Sequence, residues 1–193
     1  MNKQIPYLQE WLELGHNGKF EKAQELYFEK LFENIINNFS DKYKDTIEKG
    51  GILFSVLGFS PEPIILTAKA VEPEVHIIFT TNNQKVDNSY LEKFLESDYE
   101  IIYLEDESFD SMYKSMKEQL VLNTNSNSNI TIDITGGKKS MVASAAIFGK
   151  DYGCKIVYVD FAEYIKELRK PMPGSEILSV VYTPLENQPE IFL

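Results

Sequence analysis

The 193-residue chain is poor in the residues that build metal centres, disulfide frameworks and common catalytic sites. It has one cysteine, Cys154, and two histidines, His16 and His76. A single cysteine excludes an intrachain disulfide and a cysteine-rich metal site, and this usage is typical of a reducing cytoplasm. The histidines are far apart in sequence, so we expect neither a metal site nor a Ser-His-Asp or Cys-His catalytic arrangement.

Basic residues and long apolar runs are also scarce. The chain has 19 Lys and Arg against 30 Asp and Glu, a formal net charge of −11. Because a protein that coats DNA or RNA needs a basic face, we expect no direct partner in long nucleic acid. No apolar run approaches the roughly 18 residues of a membrane span. A cytoplasmic protein is therefore predicted, membrane-tethered only if a membrane segment lies upstream of Met1.

What the sequence does contain is a Gly-rich turn between a β-branched run, Ile130 to Thr135, and a helix rich in small residues. Gly136 and Gly137 have no Cβ, so their N–H groups can approach a ligand closely. The following helix has free N–H groups and a positive dipole end at its start, which favour an anion. Lys138 and Lys139 occupy the first turn, where acidic residues are usual, and a bound phosphate would explain them.

Two interpretations of this turn stay open at this point. It is either a phosphate or nucleotide site or only a tight turn followed by solvated lysines. The turn is not a Walker A loop, because Lys139 stands where that motif needs Ser or Thr, and it is not G-x-G-x-x-G. The acidic run Glu105-Asp106-Glu107 is interpreted as a solvated loop.

From Gly50 onward, strand and helix patterns alternate. Strands are predicted at 51–57, 75–81, 99–104, 130–135 and 154–160, with an edge strand at 175–182; helices are predicted from Pro61 with Ser60 as N-cap, and at 88–97, 109–122 and after the Gly-rich turn. The fold class predicted is α/β: a Rossmann-like, doubly wound, mainly parallel sheet with helices on both faces.

An N-terminal helical segment precedes this pattern. Helices are predicted at Pro6–Leu14 and Phe20–Phe39. An apolar stripe on the second contains Phe20, Leu26, Tyr27, Leu31, Ile35 and Phe39, widened by Phe28, Phe32 and Ile36. So wide a face must be covered. We therefore predict a helical extension at 1–49, used as a stalk, for dimerisation or for linkage to an effector, and a ligand-binding domain at 50–193.

Three predicted turns follow the strands of such a sheet. In doubly wound sheets, ligands bind beyond the C-terminal ends of the strands, at the switch in strand order. If the first and fourth strands are neighbours there, the turns Gly58–Glu62, Thr80–Asn83 and Thr135–Lys139 meet.

Four motifs in this part of the chain resemble the CRISPR-associated Rossmann fold (CARF) sensors of type III CRISPR immunity. They are S-V-L-G-F-S-P-E-P from Ser55, I-I-F-T-T from Ile77, D-I-T-G-G-K-K-S-M from Asp133 and R-K-P-M-P-G-S-E from Arg169. They lie in the family's order within 50–193, about three quarters of the chain.

The resemblance implies a homodimer or higher oligomer that cradles one cyclic oligoadenylate, the tetra-adenylate being favoured over the hexa-adenylate, with no cofactor. Phosphates would be held at Gly136, Gly137 and Lys138. The remaining ligand-binding residues implied are Gly58, Phe59, Ser60, Glu62, Thr80, Thr81, Asn82, Asn83, Thr135, Lys139 and Met141. For several of these residues a purely structural role, without ligand contact, stays open: Phe59 as a core lid, Ser60 as a cap, Glu62 as a first-turn acid, Met141 as a core residue and Lys139 as a solvated side chain. We predict that Asp133 organises the turn through hydrogen bonds to amides.

The function implied is an allosteric sensor of antiviral defence that transmits the messenger to an effector in, or upstream of, the N-terminal region. The alternative is a stand-alone, metal-independent ring nuclease, in which Lys138 with Ser60 or Thr135 would assist attack by a ribose 2′-hydroxyl. An unrelated nucleotide-dependent enzyme is a third hypothesis. The acidic residue that a dinucleotide cofactor normally needs about 20 positions beyond the Gly-rich turn is missing, which speaks against such a cofactor, although Asp160 stands in its place at the end of the next strand.

Overall fold

The computed structural model describes residues 5–82, 89–95, 98–123, 129–184 and 186. Two compact units are present, Met1–Ile47 with Asp160–Ile177, and Glu48–Val159 with Leu178–Leu193, and each is described by itself. Residues 160–177 thus group with the N-terminal helices. The predicted division into a helical extension at 1–49 and a ligand-binding domain at 50–193 stays a prediction.

The helices are α1 (Leu8–His16), α2 (Phe20–Leu26), α3 (Phe32–Tyr43), α4 (Glu62–Val71), α5 (Ser89–Phe94), α6 (Phe109–Asn123) and α7 (Lys139–Asp151). The strands are β1 (Ile52–Val56), β2 (Val75–Thr81), β3 (Tyr99–Leu104), β4 (Ile130–Asp133), β5 (Lys155–Phe161), β6 (Tyr164–Ile165), β7 (Lys170–Pro171) and β8 (Glu176–Tyr182).

A six-stranded sheet in the order β3-β2-β1-β4-β5-β8 forms the centre of the larger unit. The pairs β2·β3, β1·β2, β1·β4 and β4·β5 are parallel. Strand order runs outward from β1 in one direction and from β4 in the other, so the switch lies between these two strands. The predicted α/β, doubly wound fold is therefore confirmed, as is the edge position of β8.

The central strands β1, β2 and β4 are buried along almost their whole length, as expected for the middle of a parallel sheet covered on both faces. Alternate residues of β1, such as Phe54 and Val56, point into a core shared with α6 and α7, which also contains Met116 and Phe148. The residues between them point to the other face. Helix α4 packs on β1 and β4. Within the described residues, no helix is both long enough and apolar enough to cross a membrane.

The start of α4 corrects one prediction. Pro61 is the N-cap residue and Glu62 the first helical residue, so Ser60 is not the cap. A capping Ser60 would need to accept a hydrogen bond from the N–H of residue 62 or 63. Pro63 has no N–H to donate, which removes one of the two donors that make a serine cap favourable.

The smaller unit contains α1 to α3 and the antiparallel pair β6·β7. The predicted helix Phe20–Phe39 is interrupted by a π-helical turn at Tyr27–Leu31. A π turn adds one residue and rotates the following helix, which allows the predicted stripe and the three residues that widen it to face inward. Six of their members are buried: Phe28, Leu31, Phe32, Ile35, Ile36 and Phe39. Phe20, at the start of the stripe, is 55% exposed.

Candidate functional site

The β1 and β4 turns lie side by side because their strands pair in parallel. Ser55 of β1 is in register with Asp133 of β4. Strand β1 ends one residue later, at Val56, and β4 ends at Asp133 itself. The chain after β1, from Leu57, and the chain after β4, from Ile134, therefore leave the same edge of the sheet together.

Glycines allow these two turns to touch through their main chains. A Cβ on Gly58 would lie 2.7 Å from the amide nitrogen of Gly137 and 3.4 Å from the Cα of Gly136. A Cβ on Gly136 would lie 2.4 Å from the carbonyl oxygen of Val56 and 2.8 Å from the nitrogen of Gly58. Separations this short exclude any side chain. The predicted meeting of the first and third turns is thus observed.

The Gly-rich turn leads into α7 in an arrangement suited to an anion. Gly137 has φ +86°, a left-handed conformation that favours glycine. Lys138 is the extended N-cap residue, with φ −78° and ψ 155°, and the helix begins at Lys139. The prediction that both lysines lie within the first turn is therefore wrong for Lys138. A lysine side chain cannot accept a hydrogen bond from the first helical amides, so these N–H groups remain available to a ligand.

A buried carboxylate holds the turn in shape. Asp133 is fully buried, and its Oδ1 accepts hydrogen bonds from the Thr135 amide at 2.9 Å and the Thr135 hydroxyl at 2.5 Å. The same hydroxyl accepts a hydrogen bond from the Val159 amide at 2.8 Å. Burial raises the pKa of Asp133 above its ordinary value, and hydrogen bonds from Thr135 oppose that rise. The predicted organising role of Asp133 is confirmed, and Thr135 is a structural partner of Asp133 and Val159.

The other predicted site residues differ in exposure. Phe59 is 88% exposed, which excludes its alternative role as a core lid, and Ser60, Asn82, Lys138 and Lys139 are also exposed. Glu62 is half-buried. The side chains of Thr80, Thr81 and Met141 are buried. Met141, a residue of α7, lies in the core that α6 and α7 share with the sheet. These three therefore present almost no surface to a ligand. Asn83 lies outside the described residues.

A residue that the sequence interpretation missed lies against the turn. Glu107, from the segment between β3 and α6, forms an ion pair with the Lys138 ammonium. The prediction that 105–107 is simply a solvated loop is therefore wrong for Glu107. The two residues are 31 positions apart. No local pattern signals such a contact, and the acidic run itself was the only clue.

The histidine and cysteine of this unit are core residues. His76 is buried in β2, and its Nε2 lies 2.9 Å from the Ser55 hydroxyl. Burial lowers the pKa of His76 to about 3, so the ring is neutral at physiological pH. Burial also raises the pKa of the Cys154 thiol to about 12. Among the residues that the structure describes, no three His, Cys, Asp or Glu side chains group closely enough to hold a metal ion.

Three solved structures are similar to this chain in fold. Can2 from Sulfobacillus thermosulfidooxidans, in complex with cyclic tetra-adenylate, is 17% identical over 56% of this chain and 32% of its own, with a TM-score of 0.47. Csm6 from Enterococcus italicus, bound to cyclic hexa-2′-fluoro-hexa-dAMP, is 18% identical over 60% and 34%, with a TM-score of 0.48. Protein VC1899 from Vibrio cholerae is 11% identical over 56% and 30%, with a TM-score of 0.46.

At these identities the likeness concerns the fold. The matched part of this chain spans about a third of the length of each protein. No family model matches the sequence, and no curated protein matches it.

Proposed function

We propose that this chain is a sensor of cyclic oligoadenylate in type III CRISPR antiviral defence. The observation that carries the proposal is the main-chain contact between Gly58 and the Gly136-Gly137 turn at the strand switch. Phe59 directly follows one side of this contact and Lys138 directly follows the other, and both are exposed. Backbone amides with a lysine suit phosphates, and an exposed aromatic ring suits an adenine base.

The acidic chain favours a small ligand over a polymer. A net charge of −11 repels a long polyanion, whereas the ends of β1 and β4 form a local site with two exposed lysines. We propose that two copies of the chain bind one ring, since a symmetric ring can offer the same groups to each copy across a two-fold axis. The tetra-adenylate is the favoured ligand. We also propose that binding is transmitted to an effector segment in or upstream of the N-terminal helices.

The hydrogen bonds of the Thr135 hydroxyl favour sensing over cleavage of the ring. This hydroxyl already donates to Asp133 and accepts from Val159, so it is not free to orient a ribose hydroxyl. Lys138 is paired with Glu107. In the ring-nuclease alternative, Ser60 and Lys138 remain the residues proposed to act.

Isothermal titration calorimetry with cyclic tetra-adenylate and cyclic hexa-adenylate tests the proposal. We expect binding with one ring per two chains. Lys138→Ala should weaken it by about 1.5–3 kcal/mol, because a charge-assisted phosphate contact is lost. Lys150→Ala is the matched control: it removes the same charge from an exposed lysine in the last turn of α7, and it should leave the affinity unchanged.

The titrated ligand should then be recovered by chromatography. Intact ring supports sensing, whereas conversion to linear fragments would establish the enzyme alternative. If neither ring binds the wild-type chain, the proposed function is refuted. Equal losses for Lys138→Ala and Lys150→Ala would mean that Lys138 contributes only through long-range charge.

A further inference from the structure

Glu107 holds the cation of the candidate site from outside its predicted turns. Its carboxylate pairs with the Lys138 ammonium, and its side chain is 24% exposed whereas that of Lys138 is 52% exposed. Glu107 is thus the more covered partner. The exposed remainder of Lys138 leaves the ion pair open to a competing anion from solvent.

Neighbouring hydrogen bonds anchor Glu107 to the start of α7. The Ser140 hydroxyl donates to the Glu107 carbonyl oxygen at 2.5 Å, and the buried Ser144 hydroxyl donates to the Phe109 carbonyl oxygen at 2.9 Å. Within the segment, the Ser108 amide donates to Asp106 Oδ1 at 2.7 Å. The main chain at Glu107 and at Phe109 is therefore fixed on α7, the helix that begins directly after Lys138. The ion pair is part of a braced contact between the β3–α6 segment and α7.

A phosphate that reaches Lys138 meets a carboxylate already in place. Both groups are anions that pair with an ammonium, and two like charges within a few ångströms of one another repel. The ligand must therefore displace the Glu107 side chain from Lys138, or bind Lys138 beside it and lose affinity through the repulsion. A ligand with several phosphates held at once by the turn is better able to do so than one with a single weakly held phosphate.

We propose that Glu107 is a built-in competitor for the phosphate position on Lys138. It lowers the affinity of the site for anions, and its displacement removes one of the contacts that hold the segment between β3 and α6 on α7, while the hydrogen bonds of Ser140 and Ser144 remain. Glu107 thereby sets the threshold for ligand binding and links occupation of the Gly-rich turn to a change at the start of α6. This inference rests on the proposed function, because it takes the displacing ligand to be cyclic oligoadenylate.

Glu107→Gln tests the competition, because it keeps the side-chain length and hydrogen-bonding ability but removes the charge. In calorimetry, this variant of the full chain should bind cyclic tetra-adenylate at least fivefold more tightly than wild type. Glu105→Gln is the matched control: it changes the net charge equally at an exposed acid of the same segment and should alter the affinity less than twofold. In a Lys138→Ala background, the gain from Glu107→Gln should disappear.

Three outcomes would overturn the proposal: no gain in Glu107→Gln, an equal gain in Glu105→Gln, or a gain that persists without Lys138. An equal gain in Glu105→Gln would show a general effect of net charge, and a gain that persists without Lys138 would show that Glu107 does not act by competing for Lys138. If wild type binds the ring and any of these occurs, the proposed function stands and Glu107 is not a competitor. If neither wild type nor Glu107→Gln binds either ring, it is the proposed function that fails.

Hydrogen exchange without ligand tests the contact itself. Glu107→Gln and Lys138→Ala should both speed amide exchange in peptides covering 104–112, because the ion pair helps to hold this segment on α7. Lys150→Ala should leave these peptides unchanged. Unchanged exchange in both test variants would show that the ion pair does not hold the segment, and would overturn the proposed link to α6 whatever the ligand.

Discussion

Gly136→Ala should destabilise the protein by about 2–3 kcal/mol, because the new methyl group has no space. Its Cβ would lie 2.4 Å from the Val56 carbonyl oxygen and 2.8 Å from the Gly58 nitrogen, whereas ordinary contacts begin at 3.4 Å. Both neighbours are main-chain atoms, so no side-chain rotation can relieve the clash. The end of β1 and the Gly-rich turn must separate by about 1 Å, against the packing of a buried sheet.

Urea denaturation followed by far-ultraviolet circular dichroism measures this loss. With a denaturant dependence of about 2 kcal/mol per molar urea, the midpoint should fall by roughly 1–1.5 M. Gly153→Ala is the matched control. Gly153 has φ +62° and nothing within 4 Å of an added Cβ, so only the left-handed backbone opposes alanine there. That effect is about 1 kcal/mol, or roughly 0.5 M.

The order of the two urea midpoints tests whether the turns are in contact. A midpoint for Gly136→Ala at or above that of Gly153→Ala would refute the reasoning that the β1 and β4 turns touch through their main chains. If the order is as expected, cyclic tetra-adenylate should also bind Gly136→Ala more weakly than Gly153→Ala, because separating the turns disturbs the amides proposed to hold phosphate.

Four further predictions concern single residues. His76 takes up a proton near its ordinary pKa of 6.5 in the unfolded chain but only near 3 in the folded chain, so the free energy of unfolding falls as pH drops below 6.5. Between pH 7 and pH 5, urea denaturation should show a fall in this free energy that is about 2 kcal/mol larger in wild type than in His76→Gln. Because the Cys154 thiol is buried with a raised pKa, a thiol reagent should react slowly with the native protein and with one equivalent in urea, and fast native reaction would contradict its burial. Thr135→Val should lower the free energy of unfolding by about 1–3 kcal/mol, with Thr135→Ser largely retaining it, since only the hydroxyl bonds Asp133 and Val159. Phe59→Ala should change stability by less than about 0.5 kcal/mol but weaken ring binding, and unchanged affinity would exclude Phe59 from the ligand contact.

Much of the fold was predictable because apolar periodicity and turn residues mark the elements of a parallel sheet. The bounds predicted for β2 and β3, 75–81 and 99–104, are those observed. The N-terminal helices were harder. A π turn has no simple sequence signature, and a doubled apolar stripe fits one wide helical face as well as two faces rotated by an inserted residue.

The site was predictable in part. The sequence marks the turn Gly136-Gly137-Lys138, because two glycines and a lysine are unusual where a strand leads into a helix. The role of Gly58 in contacting this turn follows only when β1 and β4 are known to pair. Burial of Thr80 and Thr81 depends on the pairing of β2 with β3. The contact of Glu107 with Lys138 depends on the packing of the segment between β3 and α6 against α7. Such long-range contacts have no signal in the local pattern of one sequence.

The main-chain contact between Gly58 and Gly136 also bears on how such a site can evolve. Positions 58 and 136 accept no side chain, so they can contribute only amide and carbonyl groups to any ligand. The exposed neighbours Phe59, Ser60, Lys138 and Lys139 face no such constraint and can be exchanged without moving the sheet. Relatives with another ligand preference are therefore expected to share the glycine framework and to differ at these four positions. The architecture separates the residues that keep the fold from those proposed to contact the ligand.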